Sequence, residues 1–156
     1  KLVNQRQDFE LVIVGPASIE LKEKVIHSDL GSLVSFTGEI AYPEVALQMQ
    51  RASALVLFSR YENFPCVMIE ALCCGLPVIA ADTGGIKEAV NEKNGILVES
   101  ENEEQLTAAL DRMMNEYDKF DRKKIADVAS QQFSYETIGK QFYGLYNELT
   151  RNTASK

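Results

Sequence analysis

Apolar residues follow two rhythms along the chain. Up to Val98, short unbroken runs alternate with stretches of helical spacing: FELVIVG (Phe9–Gly15), LVSF (Leu33–Phe36), ALVLF (Ala54–Phe58), PVIAA (Pro77–Ala81) and GILV (Gly95–Val98). Runs that are continuous rather than alternating imply strands covered on both faces, as in a parallel sheet between helices. The intervening spacing predicts helices near Ile19–Ser28, Pro43–Ala52, Pro65–Cys74 and Ile86–Val90. Together these predict an α/β fold, a three-layer Rossmann-like doubly wound parallel sheet. Beyond Val98 the pattern is purely helical. Asn102 and Gln105 have capping-box spacing before the stripe Leu106, Ala109, Leu110 and Met113. A second helix is expected over Phe120–Val128. A third is expected from Ser134 through Ile138, Phe142, Leu145, Tyr146 and Leu149, with RNTASK frayed at the end.

Open parallel sheets bind ligands beyond the carboxyl ends of their strands, so the loops after Val14, Phe36, Phe58 and Ala81 are the ones to inspect. Gly15 ends the first strand without the three spaced glycines of a dinucleotide fingerprint, so a simple turn and a ligand approach stay equally open there. Gly38, before Glu39 and Ile40, marks a tight turn that suits either a plain connection or close approach to a flat base. Gly84 and Gly85 fit a functional loop or a connector equally well.

The loop after Phe58 says more. It reads Ser59, Arg60, Tyr61, Glu62, Asn63, Phe64, and then Pro65 suits a first helical turn. Backbone N–H groups around Phe64, Cys66 and Val67 would then point outward from a positive dipole end, where an anion can bind. Glu70 follows roughly 7–8 Å along the axis at 1.5 Å per residue. Its neighbours Met68, Ile69, Ala71, Leu72, Cys73 and Cys74 leave little polar face, which predicts burial and therefore a hydrogen-bonded carboxylate. A ligand hydroxyl or an internal salt bridge would each satisfy it.

Composition narrows the classes. The 156 residues, 46% of them hydrophobic, suit one globular domain. A net charge of −7 with no dense Lys/Arg run disfavours nucleic acid as a partner. No apolar run approaches the roughly 20 residues of a membrane span, which predicts a soluble protein. Cys66, Cys73 and Cys74 lack zinc or redox spacing and read as buried thiols of a cytoplasmic protein. The one histidine, His27, reads as a surface residue at a helix end. A receiver domain is disfavoured by Gly15–Pro16 and Ser59–Arg60 where acidic residues are needed, and a serine hydrolase by the lack of a nucleophile elbow.

The stretch SRYENFPCVMIEALCCGLPVIAADTGGIKEAV, with seven residues between Glu62 and Glu70, then GLPVIA, then GG followed by Glu88, closely resembles the signature of the group-one (family four) GT-B glycosyltransferases. ELVIVG, VSFTGEI, NGILV and FSYE extend the likeness over almost the whole chain. The resemblance implies a retaining transferase using a nucleotide-diphosphate sugar and no metal. It implies that Glu70 holds the ribose hydroxyls and that Glu62, the catalytic candidate, lies beside the donor sugar. It also implies that Asn63, Phe64, Pro65 and Cys66 line the sugar and diphosphate, while Gly38, Glu39 and Ile40 border the base. Arg60 and Gly15 are counted with the donor-binding residues.

Residues 1–156 are accordingly expected to be the donor-binding domain, lacking its first strand, the Arg/Lys pair that neutralises diphosphate, and the amino-terminal domain that binds acceptor. Alone, they are expected to transfer no sugar. Lys1 is not expected to replace that pair, and GPAS in place of a glycine-rich turn argues against a phosphate role for the first loop. The resemblance leaves room for peripheral membrane association of the full-length enzyme. A sugar-nucleotide epimerase and a non-catalytic binding module of the same fold stay open as alternatives.

Overall fold

The computed structural model describes residues 2–153. Five strands and seven α-helices follow in the order β1 (Leu11–Val14), α1 (Ile19–Ile26), β2 (Val34–Gly38), α2 (Tyr42–Arg51), β3 (Leu55–Leu57), α3 (Cys66–Cys73), β4 (Val78–Ala81), α4 (Ile86–Ala89), β5 (Gly95–Val98), α5 (Glu103–Glu116), α6 (Arg122–Phe133) and α7 (Tyr135–Thr153). Every strand pair is parallel. All five strand expectations are met, and the α/β Rossmann-like class holds.

Around β4 the layers are complete. Val78 and Ala80 face a core with Met68, Ala71 and Leu72 of α3 and Ile125 and Ala129 of α6. Ile79 points the other way, into a second core with Val98 of β5 and Ala109 and Met113 of α5. Alternate residues of one strand thus serve two helical layers, which is why its sequence is apolar at every position. All four β4 residues are buried.

The sheet itself departs from expectation. Hydrogen bonding divides it into β1–β2 and β3–β4–β5, and among the described residues no strand pairing joins the two pieces. Burial on both faces fails for β1, where Leu11 (43%), Val12 (37%) and Val14 (40%) are exposed, because nothing among the described residues covers them. Side chains bridge the pieces instead. Arg6 Nη1 donates to Asp111 Oδ1 of α5 at 2.9 Å and to Asn115 Oδ1 at 2.8 Å. Arg122 of α6 donates to the carbonyls of Ala52 (2.9 Å) and Gln50 (3.0 Å), closing the end of α2.

The helix caps show where local sequence was decisive. Asn102 Oδ1 accepts from the N–H of Gln105, but the Gln105 side chain accepts from Glu99 N–H, so only half of the expected capping box forms. Asp121 and Ser134 cap α6 and α7 as acceptors for Lys124 N–H and Thr137 N–H. α6 runs to Phe133, beyond the expected Val128, and α7 packs on α6. The stripe Phe142, Leu145, Tyr146 and Leu149 stays at least half exposed rather than lying on the sheet. The expectations for Lys1 and for residues 154–156 lie outside the described residues. Within them, no helix is long and apolar enough to cross a membrane.

Candidate functional site

Pro65 is the N-cap of α3 rather than its first helical residue, at φ −71° and ψ 124°. Its carbonyl still accepts from Met68 N–H, so the first turn closes. By helix geometry the N–H groups of Cys66 and Val67 have no intrahelical acceptor, which leaves a partial positive charge at the tip. The expectation of three buried thiols is not met: Cys66 is exposed because it sits at that open tip, and Cys73 and Cys74 are half-buried. Burial pushes the Cys74 thiol above its ordinary pKa, with the nearby Cys73 and Glu70 adding to the shift. A thiol held protonated in this way is a packing group rather than a nucleophile.

Glu70 lies on α3 among buried Met68, Ala71 and Leu72, itself half-buried. Of the two ways of satisfying it, the salt bridge does not form among the described residues. Tyr42 Oη donates to Glu70 Oε1 at 2.8 Å. Sequence reasoning missed Tyr42; the signal was its place next to Pro43 at the start of α2, the element that follows the Gly38 turn.

Two glycine features position the rest. Gly38 adopts φ +68° and its carbonyl accepts from Gly15 N–H at 2.9 Å, so the ends of β1 and β2 meet, and Glu39 and Ile40 follow on the same rim. Gly84, at φ +56°, presses on the backbone of the Glu62 loop so closely that a Cβ there would overlap the Glu62 carbonyl oxygen. Gly85 N–H donates to Asn63 O at 2.7 Å and Thr83 Oγ1 donates to Arg60 O at 3.2 Å. The glycine pair is therefore no mere connector: the loop after β4 clamps the loop after β3. Phe64, which also lies against Gly85, leans on Phe133 of α6, ring centroids 6.1 Å apart.

The structure thus brings Glu62, Asn63 and Phe64 against Gly84–Gly85, joins Gly15 to Gly38, and joins Glu70 to α2. Arg60 turns elsewhere, its Nε pairing with Glu101 Oε1 at 2.8 Å on the β5–α5 loop. That loop lines an open depression of about 470 Å³ formed by residues 99–104, whose carboxylates suit a diphosphate poorly. His27 is the exposed C-cap of α1, as expected of a surface residue.

Residues 1–131 match the model of the family described as Glycosyl transferases group 1. The chain belongs to that family. It is similar to an uncharacterized glycosyltransferase of Methanocaldococcus jannaschii, 30% identical over 149 residues, covering 92% of this chain and 42% of that protein. A D-inositol 3-phosphate glycosyltransferase of Rhodococcus erythropolis is 34% identical over 155 residues, covering 91% of this chain and 34% of its own length. Among solved structures, Anabaena HepE in complex with UDP superposes with a TM-score of 0.81 at 26% identity, over 94% of this chain and 43% of that one. Sucrose-phosphate synthase from Thermosynechococcus elongatus does so with a TM-score of 0.83 at 28% identity, over 97% and 41%. The chain therefore spans under half the length of each of these four proteins. As a group 1 domain of the GT-B class it meets the family and fold expectations.

Proposed function

We propose that residues 1–156 form the donor-binding half of a retaining glycosyltransferase, and that the whole protein moves a sugar from a nucleotide diphosphate to an acceptor held by another domain. One observation carries the reading: a carboxylate, Glu70, is kept on an otherwise apolar helix whose open tip lies one and a half turns away. A diphosphate at that tip leaves an attached ribose within reach of the carboxylate. The solved HepE complex with UDP-glucose, similar in fold at a TM-score of 0.80 and 25% identity, supports a nucleotide-sugar ligand.

The chemistry suits these groups. Bonds from ribose hydroxyls to a carboxylate are charge-assisted and contribute roughly 1.5–3 kcal/mol each, which fixes the donor's register. As the glycosidic bond breaks, negative charge grows on the leaving diphosphate and the sugar becomes oxocarbenium-like. Amides at Cys66 and Val67 stabilise the first charge. Glu62, held in place by Gly84 and Gly85, favours the second or orients a sugar hydroxyl. The reading needs no metal, and it places the protein in the cytoplasm with the full-length enzyme free to meet a membrane peripherally.

The same proposal gives the divided sheet a cause: a strand outside residues 1–156 fits between β1 and β3, whose outer edges are unpaired among the described residues. The glutamates supply the direct test. In the full-length protein, screened by calorimetry and kinetics with uridine, guanosine and adenosine diphosphate sugars, Glu70→Gln weakens donor binding by about 10-fold or more. Glu62→Gln mainly slows turnover. Unchanged donor affinity in the Glu70 variant removes the ribose role.

A further inference from the structure

Tyr42 is the first residue of α2 and is 69% exposed. A tyrosine so open to water ordinarily spends its hydroxyl on solvent. Here the hydroxyl is committed to Glu70 Oε1 at 2.8 Å, across the contact between α2 and α3. The backbone that carries it is fixed locally. Pro43 follows it in the first turn, and Glu44 Oε2 accepts from Ala41 N–H at 3.0 Å, the returning half of a capping box whose other half the methyl side chain of Ala41 cannot supply.

A carboxylate offers two oxygens with about four lone-pair directions. One phenol on Oε1 leaves Oε2 free to accept and stops the carboxylate from rotating. The bond also raises the Tyr42 pKa above its ordinary value, so the hydroxyl stays a donor through neutral pH. We propose that Tyr42 is a positioning residue that orients Glu70 toward the ribose hydroxyls, so that preference for a ribonucleotide over one lacking those hydroxyls depends on it. This rests on the reading of Glu70 as the ribose acceptor. It adds a residue on a different element and assigns that residue a selectivity.

The link also couples two parts of the site. Tyr42 stands at the end of the segment that begins at Gly38, so a base seated on that turn and a ribose seated on Glu70 are aligned by one side chain.

The test uses the full-length protein and calorimetry with uridine, guanosine and adenosine diphosphates, each beside its 2′,3′-dideoxy counterpart. For whichever diphosphate binds, Tyr42→Phe should weaken the ribonucleotide about 5- to 10-fold, less than the loss of a direct charge-assisted hydrogen bond because Tyr42 acts through Glu70. The dideoxy counterpart should change by less than about twofold. In a Glu70→Gln background the same substitution should cause no further loss, since the two residues act as one unit. In kinetics the loss should fall on KM for donor more than on kcat. Equal weakening of both nucleotides would mean that Tyr42 serves the fold or stacks on the base, and would overturn the inference, as would unchanged or tighter ribonucleotide binding. A wild-type protein that binds none of the three diphosphates refutes the donor-binding reading and this inference with it. Wild-type binding with an unresponsive Tyr42→Phe variant refutes this inference alone.

Discussion

A single methyl group at Gly84 has nowhere to go: the backbone is left-handed and the Glu62 carbonyl oxygen occupies the space. Gly84→Ala therefore has to move the Glu62 loop, and left-handed strain in a non-glycine residue costs of the order of 1–3 kcal/mol. In the full-length enzyme we expect a lower melting temperature and, because a displacement of about 1 Å at a reacting centre can cost about 100-fold, a turnover reduced by up to that factor. Turnover equal to wild type would show that Glu62 does not depend on this clamp. The glycine pair was visible in the sequence but its role was not, because the contact joins residues some twenty positions apart through backbone atoms that leave no compositional trace. Glu70 was legible for the opposite reason. A charge in an apolar helix is a local anomaly, and only its partner, on another helix, required the structure. Arg60 shows the limit of reading a motif outward: its position in the loop is as expected, yet its guanidinium answers to Glu101, a residue on a different loop.

Among elements, those defined by local signals came out closest to expectation. Ser134 caps its helix as expected, and the α5 stripe is buried at Ala109 and Met113, whereas α6 begins at Arg122 behind the cap Asp121 rather than at the expected Phe120. Boundaries slipped where tertiary contact decides them, as when Phe133 extends α6 to meet Phe64. The end of α5 carries a testable electrostatic feature. Glu116 accepts from Lys119 (2.9 Å) and Arg112 (3.0 Å), which hold its carboxyl below the ordinary value of 4.5. A lowered folded-state pKa means that the unfolded chain binds the proton more readily. The contribution is therefore full above about pH 4.5 and lost as pH falls through the lower folded value. Acid melts of wild type and Glu116→Gln should diverge above that point and converge below it; curves a constant distance apart across the range would refute the assignment.

At the scale of the whole molecule, the apolar runs carried no sign of the break in the sheet; only the family resemblance, in implying an absent first strand, pointed toward one. Runs such as LVIV announce a strand covered on both faces, and no pattern within the run reveals whether its neighbour is present. In parallel pairing alternate residues bond to opposite sides, and Leu11 and Gly15 bond toward β2 while Leu55 bonds toward β4. The amides of Val12, Val14 and Val56 consequently face the outer edges. Hydrogen exchange should find them unprotected in residues 1–156 alone and protected in the longer protein if an added strand fills the gap. Equal exchange in both would place that strand elsewhere. Until it is filled, the edge of β1 has a cost of another kind. Leu11–Val14 carries neither a charged residue nor a proline, the features that ordinarily keep an open edge from pairing with a second chain. Left uncovered, that edge is a template for self-association, so residues 1–156 alone should associate increasingly as their concentration rises.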